Sequence, residues 1–420
     1  MRGERPMRIE IESLALGGYG LGRWEGKVVF VPYGVPGDVL EVEITEDHRD
    51  YAFGRILKIE EPSPHRVSPP CPVFGRCGGC QWLHMDYSLQ LEAKELLVKR
   101  ELRKFLEKDA LQPIVPSDPH MEYRTRAKLR VAKGQIGFYQ EKSHQVVALG
   151  HCPVMTSNMN KALLVLYHRL KDLRRVGEID LFSRGDEETL LVSMKSRERL
   201  GAIHDLFHAL KKETESRVGL RVLWKGKVSH LGPKTMEEKI LGHGILVGHD
   251  TFFQNNRFLR DKLAAVVLEQ AKPWLEGPVL ELYAGAGTFT VPLVKEGARV
   301  TAVEGHIPSA RLLKENLPPE AEVMEASCEK ALEKLKDRSF SLVILDPPRT
   351  GCTPPVRQAI GDLSPQAILY VSCNPATMAR DMAQWKEKGY RLTFLQPLDM
   401  FPHTGHIEVV GVMAKEGPEG

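Results

Sequence analysis

Alternating apolar and polar residues dominate the N-terminal part of the chain. Four such runs cover residues 8–12, 27–31, 39–44 and 53–57, and glycine-rich turns separate them. Short strands at this close spacing predict a small β-barrel. The glycine-rich segment 17–22 does not lie in a strand–loop–helix unit, so we interpret it as a turn and not as a dinucleotide-binding loop.

The middle of the chain has a different pattern. A proline-rich linker at 61–70 precedes a group of cysteines and a helical stretch from Ser88 to Leu106. Extended runs such as 127–131 and 189–194 then alternate with helical ones. This mixture predicts a central α+β domain.

From residue 263 onward, helical stretches alternate with four compact apolar strands. The strands cover residues 279–282, 299–303, 341–345 and 367–371. Such alternation predicts a doubly wound, mostly parallel sheet that binds ligands at the carboxyl ends of its strands. We therefore expect an α/β protein with a Rossmann-like domain, an N-terminal OB-like barrel and a central α+β domain.

Length and composition limit the class of protein. The chain has 420 residues, which at about 150 residues per domain suggests two or three domains. We place them at 1–61, 62–250 and 251–420, with residues 88–110 packed either on the second domain or on the third. Hydrophobic residues make up 42% and charged residues 27%, which excludes wholesale disorder. The tail at 415–420 is expected to fray.

We expect neither a membrane span nor an export signal from this sequence. Its apolar runs are far shorter than the roughly 20 residues that a membrane helix needs. The N-terminus has no apolar leader segment, so we expect a cytoplasmic protein without a membrane partner. Seven cysteines in such a chain predict metal ligands, nucleophiles or buried thiols, and not a disulfide framework.

A glycine-rich loop follows the first strand of the predicted sheet. Glu281 begins it, and Gly285 and Gly287 allow a tight turn and close approach of the backbone to a ligand. Glu304 ends the second strand, where its carboxylate can accept hydrogen bonds from ribose hydroxyls. Thr290 stands where a dinucleotide fingerprint has Gly or Ala, so the loop predicts an adenosine site without phosphate.

Two further strands of this sheet end in polar loops. Asp346 follows one strand and Cys373 follows the next, and such strand ends converge on one crevice. Cys373 precedes a predicted helix, whose N-terminus favours the thiolate form. These neighbours predict a nucleophile. Glu408, before the last strand, is either an acid or base group or an ordinary exposed strand residue.

Four cysteines form a candidate metal set, namely Cys71, Cys77, Cys80 and Cys152. Structural zinc and iron–sulfur clusters both accept four thiolates. The spacing of these residues does not choose between the two groups.

The motifs in combination resemble the RNA uracil-5-methyltransferase family. They are Ser372-Cys-Asn-Pro375, Asp346-Pro-Pro-Arg-Thr-Gly351 before it, and Asp399-Met-Phe-Pro-His-Thr-Gly-His-Ile-Glu408 after it. The loop from Glu281 resembles motif I of S-adenosylmethionine-dependent methyltransferases. The barrel is similar to the TRAM RNA-binding domain found on members that act on large-subunit ribosomal RNA.

The resemblance spans most of the chain and implies an enzyme that makes 5-methyluridine in RNA with S-adenosylmethionine. It favours 23S rRNA as the partner, with tRNA as the alternative, and implies no protein partner. It also favours a [4Fe–4S] cluster over zinc as the group that the four cysteines bind. The alternative from another class is a non-catalytic RNA-binding protein with a zinc-stapled core. The intact Cys373, Asp346 and Glu408 count against it.

Residue roles follow from the same resemblance. It makes Cys373 the nucleophile and Glu408 the base, and it places Phe252 near the target base. The implied cofactor and active-site positions are Gln254, Tyr283, Gly285, Gly287, Thr288, Glu304 and Asp346. Thr288 departs from the Asn that relatives often have.

A basic face is the candidate RNA contact outside the sheet. Arg124, Arg126, Lys128 and Arg130 recur at every second position, which places them on one face of an extended segment. This face is either ordinary solvated surface or a stripe that contacts RNA phosphates without reading their sequence. Lys128 stands where some relatives carry Arg, and it lacks the planar, bidentate geometry of a guanidinium.

Overall fold

The alternating runs at the N-terminus form a closed five-stranded barrel in the computed structural model of the protein. The structure describes residues 6–15 and 17–415, so the predicted fraying at 416–420 lies outside the described residues. The barrel strands are β1 (Met7–Leu14), β2 (Gly20–Trp24), β3 (Lys27–Val31), β4 (Val39–Asp47) and β5 (Tyr51–Glu61). They close in the order β1–β2–β3–β5–β4, which confirms the predicted barrel.

The inward-facing side chains of the alternating strands fill the barrel core. Ile9, Ile11, Val29 and Val31 point inward and are nearly inaccessible to solvent, while their neighbours face outward. The predicted turn contains Gly17 and Gly18, both at positive φ. Such backbone is costly for other residues and easy for glycine.

The central part of the chain builds a seven-stranded sheet with two helices. Its strands are β6 (Arg126–Ala132), β7 (Gln135–Tyr139), β8 (Val146–Ala148), β9 (Val176–Ser183), β10 (Thr189–Ser196), β11 (Arg217–Trp224) and β12 (Lys227–Leu231). The order is β12–β11–β10–β9–β6–β7–β8. Helix α1 (Tyr87–Leu102) precedes this sheet in the chain, and α2 (Ser157–His168) and α3 (Ile203–Thr214) belong to it. The hairpin of β13 (Thr235–Ile240) and β14 (His243–Gly248) follows.

The C-terminal domain is the predicted doubly wound sheet. Its strands are β15 (Val279–Leu282), β16 (Val300–Glu304), β17 (Glu322–Glu325), β18 (Leu342–Leu345), β19 (Ala367–Ser372), β20 (Tyr390–Leu398) and β21 (Glu408–Lys415). Its helices are α4 (Arg260–Ala271), α5 (Thr290–Lys295), α6 (Ile307–Asn316), α7 (Cys328–Leu335), α8 (Pro354–Leu363) and α9 (Pro375–Lys386), with a 3₁₀ turn at Lys272–Trp274.

The strand order of this sheet is β17–β16–β15–β18–β19–β21–β20, with the first strand, β15, in its interior beside the central strand β18. All neighbours are parallel except β21, which runs antiparallel to both β19 and β20. The buried strand β18 is a continuous apolar run, as expected where helices cover both faces, whereas β15 also contains the buried Glu281. Among the described residues, no helix combines the length and apolar character that a membrane crossing requires.

Helix α1 packs against the C-terminal domain, although the seven-stranded central sheet lies between them in the sequence. Its Val98 and Leu102 belong to the same buried cluster as residues of β19 and α9. The chain that follows runs beside the edge strand β20, where Val115 donates a backbone hydrogen bond to Pro397.

A buried ion pair fixes α1 to the loop that joins β20 and β21. Lys94 is inaccessible to solvent and donates to Asp399 at 2.5 Å and to the Phe401 carbonyl at 2.9 Å. Tyr87 donates to the second oxygen of the Asp399 carboxylate at 2.7 Å. The carboxylate therefore has a donor on each oxygen, which offsets the cost of burying its charge.

We expect Lys94→Met to destabilise the protein strongly. The variant leaves Asp399 buried without its cation, a change that costs about 3–5 kcal/mol in free energy of unfolding. Lys99→Met, at an exposed position of the same helix, is the matched control and should shift stability by less than about 0.5 kcal/mol. Denaturant titrations measure both. Equal stability of the two variants would contradict a stabilising role for the pair.

Candidate active site

The glycine-rich loop after β15 has the geometry of a ligand-binding turn. Gly285 and Gly287 adopt positive φ values of 61° and 103°. A Cβ at Gly287 would lie 3.0 Å from Leu313 and 3.1 Å from Val291, so this glycine permits close packing of the loop. At Gly285 the same position is open, which leaves the backbone accessible to a ligand.

Glu304, at the end of β16, is tied to this loop. One carboxylate oxygen accepts from the Gly285 amide at 2.8 Å, and the other accepts from the His306 amide at 2.6 Å. Each carboxylate oxygen has capacity for a further hydrogen bond. The carboxylate is therefore held in place and can still accept from a hydroxyl group of a ligand.

Two residues reach the site from β18 and from the chain after β14. Asp346 follows β18, and the amide of Gln254 donates to its Oδ2 at 3.4 Å. Gln254 is itself buried. Phe252, two residues earlier, is 62% exposed. A large aromatic ring at the mouth of a polar cavity offers a stacking surface for a planar ligand.

Cys373 lies between β19 and α9, as predicted. Asn374 caps α9 by accepting from the Ala376 amide, and its own side chain donates to the Arg349 carbonyl at 3.1 Å. The cap thereby links the cysteine loop to the loop that carries Asp346. Cys373 is half-buried and faces the same cavity.

The antiparallel direction of β21 brings Glu408 to the cysteine. Val409 pairs with Ser372, and Glu408 pairs with Leu398. The first residue of an antiparallel strand lies at the edge where its parallel neighbours end. Glu408 is 3% exposed, so the alternative of an ordinary exposed strand residue is wrong.

These groups surround one cavity of about 550 Å³, within the range of roughly 300–1,000 Å³ that small-molecule sites occupy. The predicted residues that line it are Phe252, Gln254, Tyr283, Gly285, Glu304, Asp346, Cys373 and Glu408. Gly287 and Thr288 do not line the cavity, and a cofactor contact from either residue stays a prediction. Tyr283 has a φ of 62°, which the sequence did not reveal.

Several lining residues were not assigned a role from the sequence. They are Asp250, Asn255, His306, Ser309, Pro347, Pro348, Arg349 and Phe401. Arg349 is the most important because its charge acts on both Cys373 and Glu408. The signal was present in the segment Asp346–Gly351, where a cation follows the carboxylate by three residues.

The electrostatics of the cavity favour protonated groups. Burial, followed by the neighbouring Glu408, raises the pKa of the Cys373 thiol to about 11, and Arg349 opposes the rise. Burial raises the pKa of Asp346, and burial with the charge of Asp346 raises that of Glu408. The Oε1 atom of Glu408 has no hydrogen-bond partner in the part of the chain that the structure describes.

The expectation that the position before α9 favours the Cys373 thiolate overall is therefore wrong for the protein without ligands, because the pKa of the thiol is raised and not lowered. The helix dipole favours the thiolate by a modest amount at an exposed site. Here the desolvation of a half-buried sulfur and a nearby carboxyl group outweigh it. A Cys373 thiolate therefore forms in the free protein only at raised pH.

We expect kcat/KM for RNA to rise with pH across the neutral range. A nucleophilic Cys373 and a basic Glu408 would both have to be deprotonated, and the burial that raises their pKa values moves that deprotonation to higher pH. Asp346→Asn removes a negative charge that raises the pKa of Glu408, so it should move the acid limb to lower pH while reducing the rate. Initial-rate measurements over a pH series test this. An unmoved limb would contradict the coupling.

The four candidate cysteines lie together beside the central sheet. Cys152 is buried, and Cys71, Cys77 and Cys80 pack against the same core. Burial raises the pKa of Cys80 to about 12, and the other three thiols add to the rise while Arg124 opposes it. Among residues 6–15 and 17–415, no group of three or more His, Cys, Asp or Glu is placed to hold a metal ion.

The basic face exists, but its members differ in what they contact. Arg126 donates to both oxygens of Asp180 and to the carbonyls of Thr251 and His249. Its guanidinium is thereby occupied within the protein, and the expected phosphate contact by Arg126 is wrong. Arg130 pairs with Glu178.

Arg124, Lys128, Arg130 and Arg349 line a groove of about 440 Å³, here called the basic groove. Lys128 is exposed. Arg124 lies over the ring of Phe138 and is an electrostatic neighbour of the cysteine group. Because Arg349 and Phe401 also line the active-site cavity, the groove and the cavity are continuous.

Comparison with known proteins identifies the family of this chain. Residues 86–416 match the model of the tRNA (Uracil-5-)-methyltransferase family, and residues 3–57 match that of the TRAM domain. The 23S rRNA (uracil(1939)-C(5))-methyltransferase RlmD of Yersinia enterocolitica is 31% identical, over 98% of this chain and 96% of its own length. An uncharacterized RNA methyltransferase of Thermosynechococcus vestitus is 33% identical, over 97% of both chains.

One solved structure has a similar fold over nearly the whole length of this chain. The Pyrococcus abyssi tRNA (uracil-54, C5)-methyltransferase, in complex with S-adenosyl-L-homocysteine, superposes with a TM-score of 0.78 and 27% identity. The match covers 97% of this chain and all of the other. The chain therefore belongs to the tRNA (uracil-5-)-methyltransferase family, and a TRAM domain forms its N-terminal barrel.

Proposed function

We propose that this protein transfers a methyl group from S-adenosylmethionine to C5 of a uridine in 23S rRNA. The observation that carries the proposal is the meeting of Cys373, Glu408 and Asp346 around one cavity. The relatives from Yersinia enterocolitica and Pectobacterium atrosepticum support 23S rRNA, at 31% and 32% identity. The Pyrococcus abyssi neighbour, whose name specifies tRNA, supports tRNA as the second candidate.

The residues of the cavity fit an adenosyl cofactor. Glu304, already fixed by two backbone amides, is placed to accept from ribose hydroxyls, and the open backbone at Gly285 leaves room beside it. The cofactor supplies an electrophilic methyl group on a sulfonium centre. Tyr283 and Gln254 complete this side of the cavity.

Catalysis follows from the nucleophile and the base. The Cys373 thiolate forms a bond to C6 of uracil, and the electrons of the C5–C6 double bond move to C5, which becomes able to accept the methyl group. Transfer of the methyl group to C5 would break its bond to the sulfonium sulfur and leave the neutral thioether, S-adenosylhomocysteine. Glu408 then takes the proton from C5. The electrons of that C–H bond restore the double bond and expel the Cys373 thiolate. Asp346 orients the edge of the uracil ring by hydrogen bonding.

The target uridine must leave its stack to reach Cys373. A cavity of this size admits one base and not a paired helix. Phe252 lies at the cavity lining with an exposed ring on which an extruded base can stack. RNA recognition typically uses such unstacked bases in loops.

The test of substrate class compares two RNAs. Wild-type protein with labelled S-adenosylmethionine should label unmodified 23S rRNA, and nuclease digestion should yield 5-methyluridine. Unmodified tRNA, at equal concentration, should be labelled much more slowly. Preferential labelling of tRNA would transfer the proposal to the second candidate, and labelling of neither RNA would overturn it.

We further propose that Cys71, Cys77, Cys80 and Cys152 hold a [4Fe–4S] cluster. Their common location and mutual electrostatic contact support it. Structural zinc, which accepts the same four thiolates, is the alternative. Anaerobic purification followed by iron and sulfide analysis tests this. Zinc in place of iron and sulfide would refute it.

The basic groove is proposed as the RNA path to the cavity. We expect Lys128→Ala to reduce the slope of log K against log salt by about 0.7, the value for one phosphate contact on a single strand. Lys227→Ala is the matched control, because Lys227 is an exposed lysine on β12, an edge strand of the same sheet four strands away from β6. Binding titrations over a salt series give both slopes. Equal slopes would remove Lys128 from the RNA contact.

A further inference from the structure

Helix α9 makes a row of hydrogen bonds to the loop that carries Arg349, and these contacts lie outside the chemistry described above. The Arg349 carbonyl accepts from the side-chain amide of Asn374 at 3.1 Å and from the Thr377 hydroxyl at 3.3 Å. Arg380 donates to the carbonyl of the next loop residue, Thr350, at 2.8 Å. Side chains of the helix therefore fix the loop backbone at two successive residues.

The buried carboxylate of Asp381 completes this row of contacts. It accepts from the Cys352 amide and from the Tyr370 hydroxyl, each at 2.8 Å, and from Arg357 at 3.1 Å. Arg380 also donates to it, at 2.7 Å. Because three other donors remain, replacement of Arg380 alone does not leave a buried charge without partners.

The sequence of α9 places these donors and acceptors together. Asn374, Thr377 and Asp381 are spaced by three and four residues, so they lie on one face of the helix, with Arg380 at its margin. Gly351 of the loop has a φ of 73°, and a Cβ there would lie 2.6 Å from side-chain atoms of Arg380 and Asp381. The glycine thus permits the close approach of loop and helix. Asn374, Thr377, Arg380 and Asp381 are here called the α9 clamp.

The α9 clamp determines where the side chain of Arg349 can lie. The hydrogen bonds between Arg349 and α9 use its backbone carbonyl, so they leave the guanidinium available to the cavity. Arg349 lines the cavity together with Cys373 and Glu408, and its charge acts on both. Cys373 comes shortly before the same helix. One helix therefore sets the position of the sulfur and of the cation near it.

We propose that Thr377 and Arg380 are positioning residues for methyl transfer, which hold the Arg349 guanidinium near Cys373 by fixing the backbone of its loop. The proposal rests on the proposed function of Cys373 as the nucleophile. A cation at this place stabilises the negative sulfur that forms before attack on the base. A loop without these hydrogen bonds would present the same cation for only part of the time, and the stabilisation would be smaller.

The charged groups that act on Cys373 come from three segments. Burial is the largest cause of its raised pKa, followed by the charge of Glu408 at the start of β21, and Asp346 after β18 adds to the rise. Arg349 opposes it. Burial, and then the charge of Arg349, lowers the pKa of the neighbouring His406 to about 4, so this imidazole is neutral near pH 8. Arg349 is the cation of this group, and its placement therefore affects the thiolate directly.

The test measures the thiolate of Cys373 in the full-length protein without RNA. At about pH 8, below the pKa of this thiol, its rate of alkylation by iodoacetamide follows the thiolate fraction. Mass spectrometry of the Cys373 peptide separates it from the other cysteines. Arg349→Gln should slow alkylation by on the order of 10-fold, since a close opposite charge shifts a pKa by about 1 or more. Thr377→Val with Arg380→Gln should slow it by about 3-fold, part of that effect.

A double-mutant cycle distinguishes positioning from a general loss of structure. In an Arg349→Gln background, the substitutions at Thr377 and Arg380 should not slow alkylation further. Arg299→Gln is the matched control, because Arg299 is an exposed arginine that donates to a loop carbonyl, that of Glu276, at the amino end of β16. This control should be alkylated at the wild-type rate. Thermal melting of every variant shows whether the domain stays folded.

The outcomes separate this proposal from the proposed function. If the folded double variant is alkylated at the wild-type rate or faster, the positioning role is refuted. If the two substitutions slow alkylation equally with Arg349 present and absent, it is likewise refuted, because the effect does not act through that guanidinium. Slower alkylation that requires Arg349, with unchanged affinity for S-adenosylmethionine, supports it. Failure of the wild type to methylate any RNA would instead overturn the proposed function, and the alkylation assay contains no RNA.

Discussion

Replacing Cys373 with alanine should reduce RNA methylation by at least on the order of 10⁴-fold, the scale of loss when a catalytic nucleophile is removed. Without the thiolate, C5 of uracil stays a poor nucleophile toward the sulfonium methyl group. Asp346, Glu304 and the cavity lining remain in place, so binding of cofactor and RNA should persist. Turnover with labelled S-adenosylmethionine measures the loss, and equilibrium binding measures what is retained.

A second cysteine variant separates chemistry from folding. Cys352 is buried in the same domain, so Cys352→Ala removes a similar side chain without touching the proposed nucleophile. We expect this variant to keep most of the wild-type activity. Comparable losses from both variants would show that the effect of Cys373→Ala comes from the stability of the domain and not from its thiolate.

Replacing Glu408 with glutamine should stop the reaction one step later. The amide keeps the shape of the side chain and cannot accept the C5 proton, so turnover should fall by about 10²- to 10⁴-fold. The methyl group is transferred before this step. A covalent complex between the protein and methylated RNA should therefore accumulate, which sets this variant apart from Cys373→Ala.

Denaturing electrophoresis with labelled S-adenosylmethionine detects that complex as labelled RNA that migrates with the protein. Glu315→Gln, at an exposed position of α6, is the matched control and should neither slow turnover nor trap RNA. Slow turnover of Glu408→Gln without any trapped complex would contradict its role as the base for C5. Wild-type turnover would exclude Glu408 from catalysis altogether.

Most of the fold follows from local pattern. The alternating runs of the barrel and the apolar strands of the C-terminal sheet have periods that specify an element and its buried face. Strand ends in a doubly wound sheet converge, so Asp346 and Cys373 could be brought together from sequence alone. Glu408 joined them through the family resemblance, and the structure gives the physical reason, which is the antiparallel direction of β21.

The features that could not be predicted from the sequence depend on the environment of individual side chains. The thiol of Cys373 precedes a helix, yet burial and a carboxyl neighbour determine its pKa. Arg126 and Lys128 belong to the same alternating series of basic residues. Only Arg126, however, is surrounded by Asp180 and by two backbone carbonyls from distant segments. Packing of α1 on the C-terminal domain rests on long-range contacts such as that of Lys94 with Asp399. The cytoplasmic location stays a prediction.

The most direct test of covalent uracil methylation is trapping with 5-fluorouridine-substituted 23S rRNA and S-adenosylmethionine. Fluorine at C5 cannot leave as a proton, so Glu408 cannot complete the reaction and the Cys373–C6 bond persists. The wild type should give a denaturation-resistant protein–RNA adduct whose cross-linked peptide contains Cys373, and Cys373→Ala should give none. A methylating enzyme that forms no adduct, or an adduct at another residue, would contradict the mechanism.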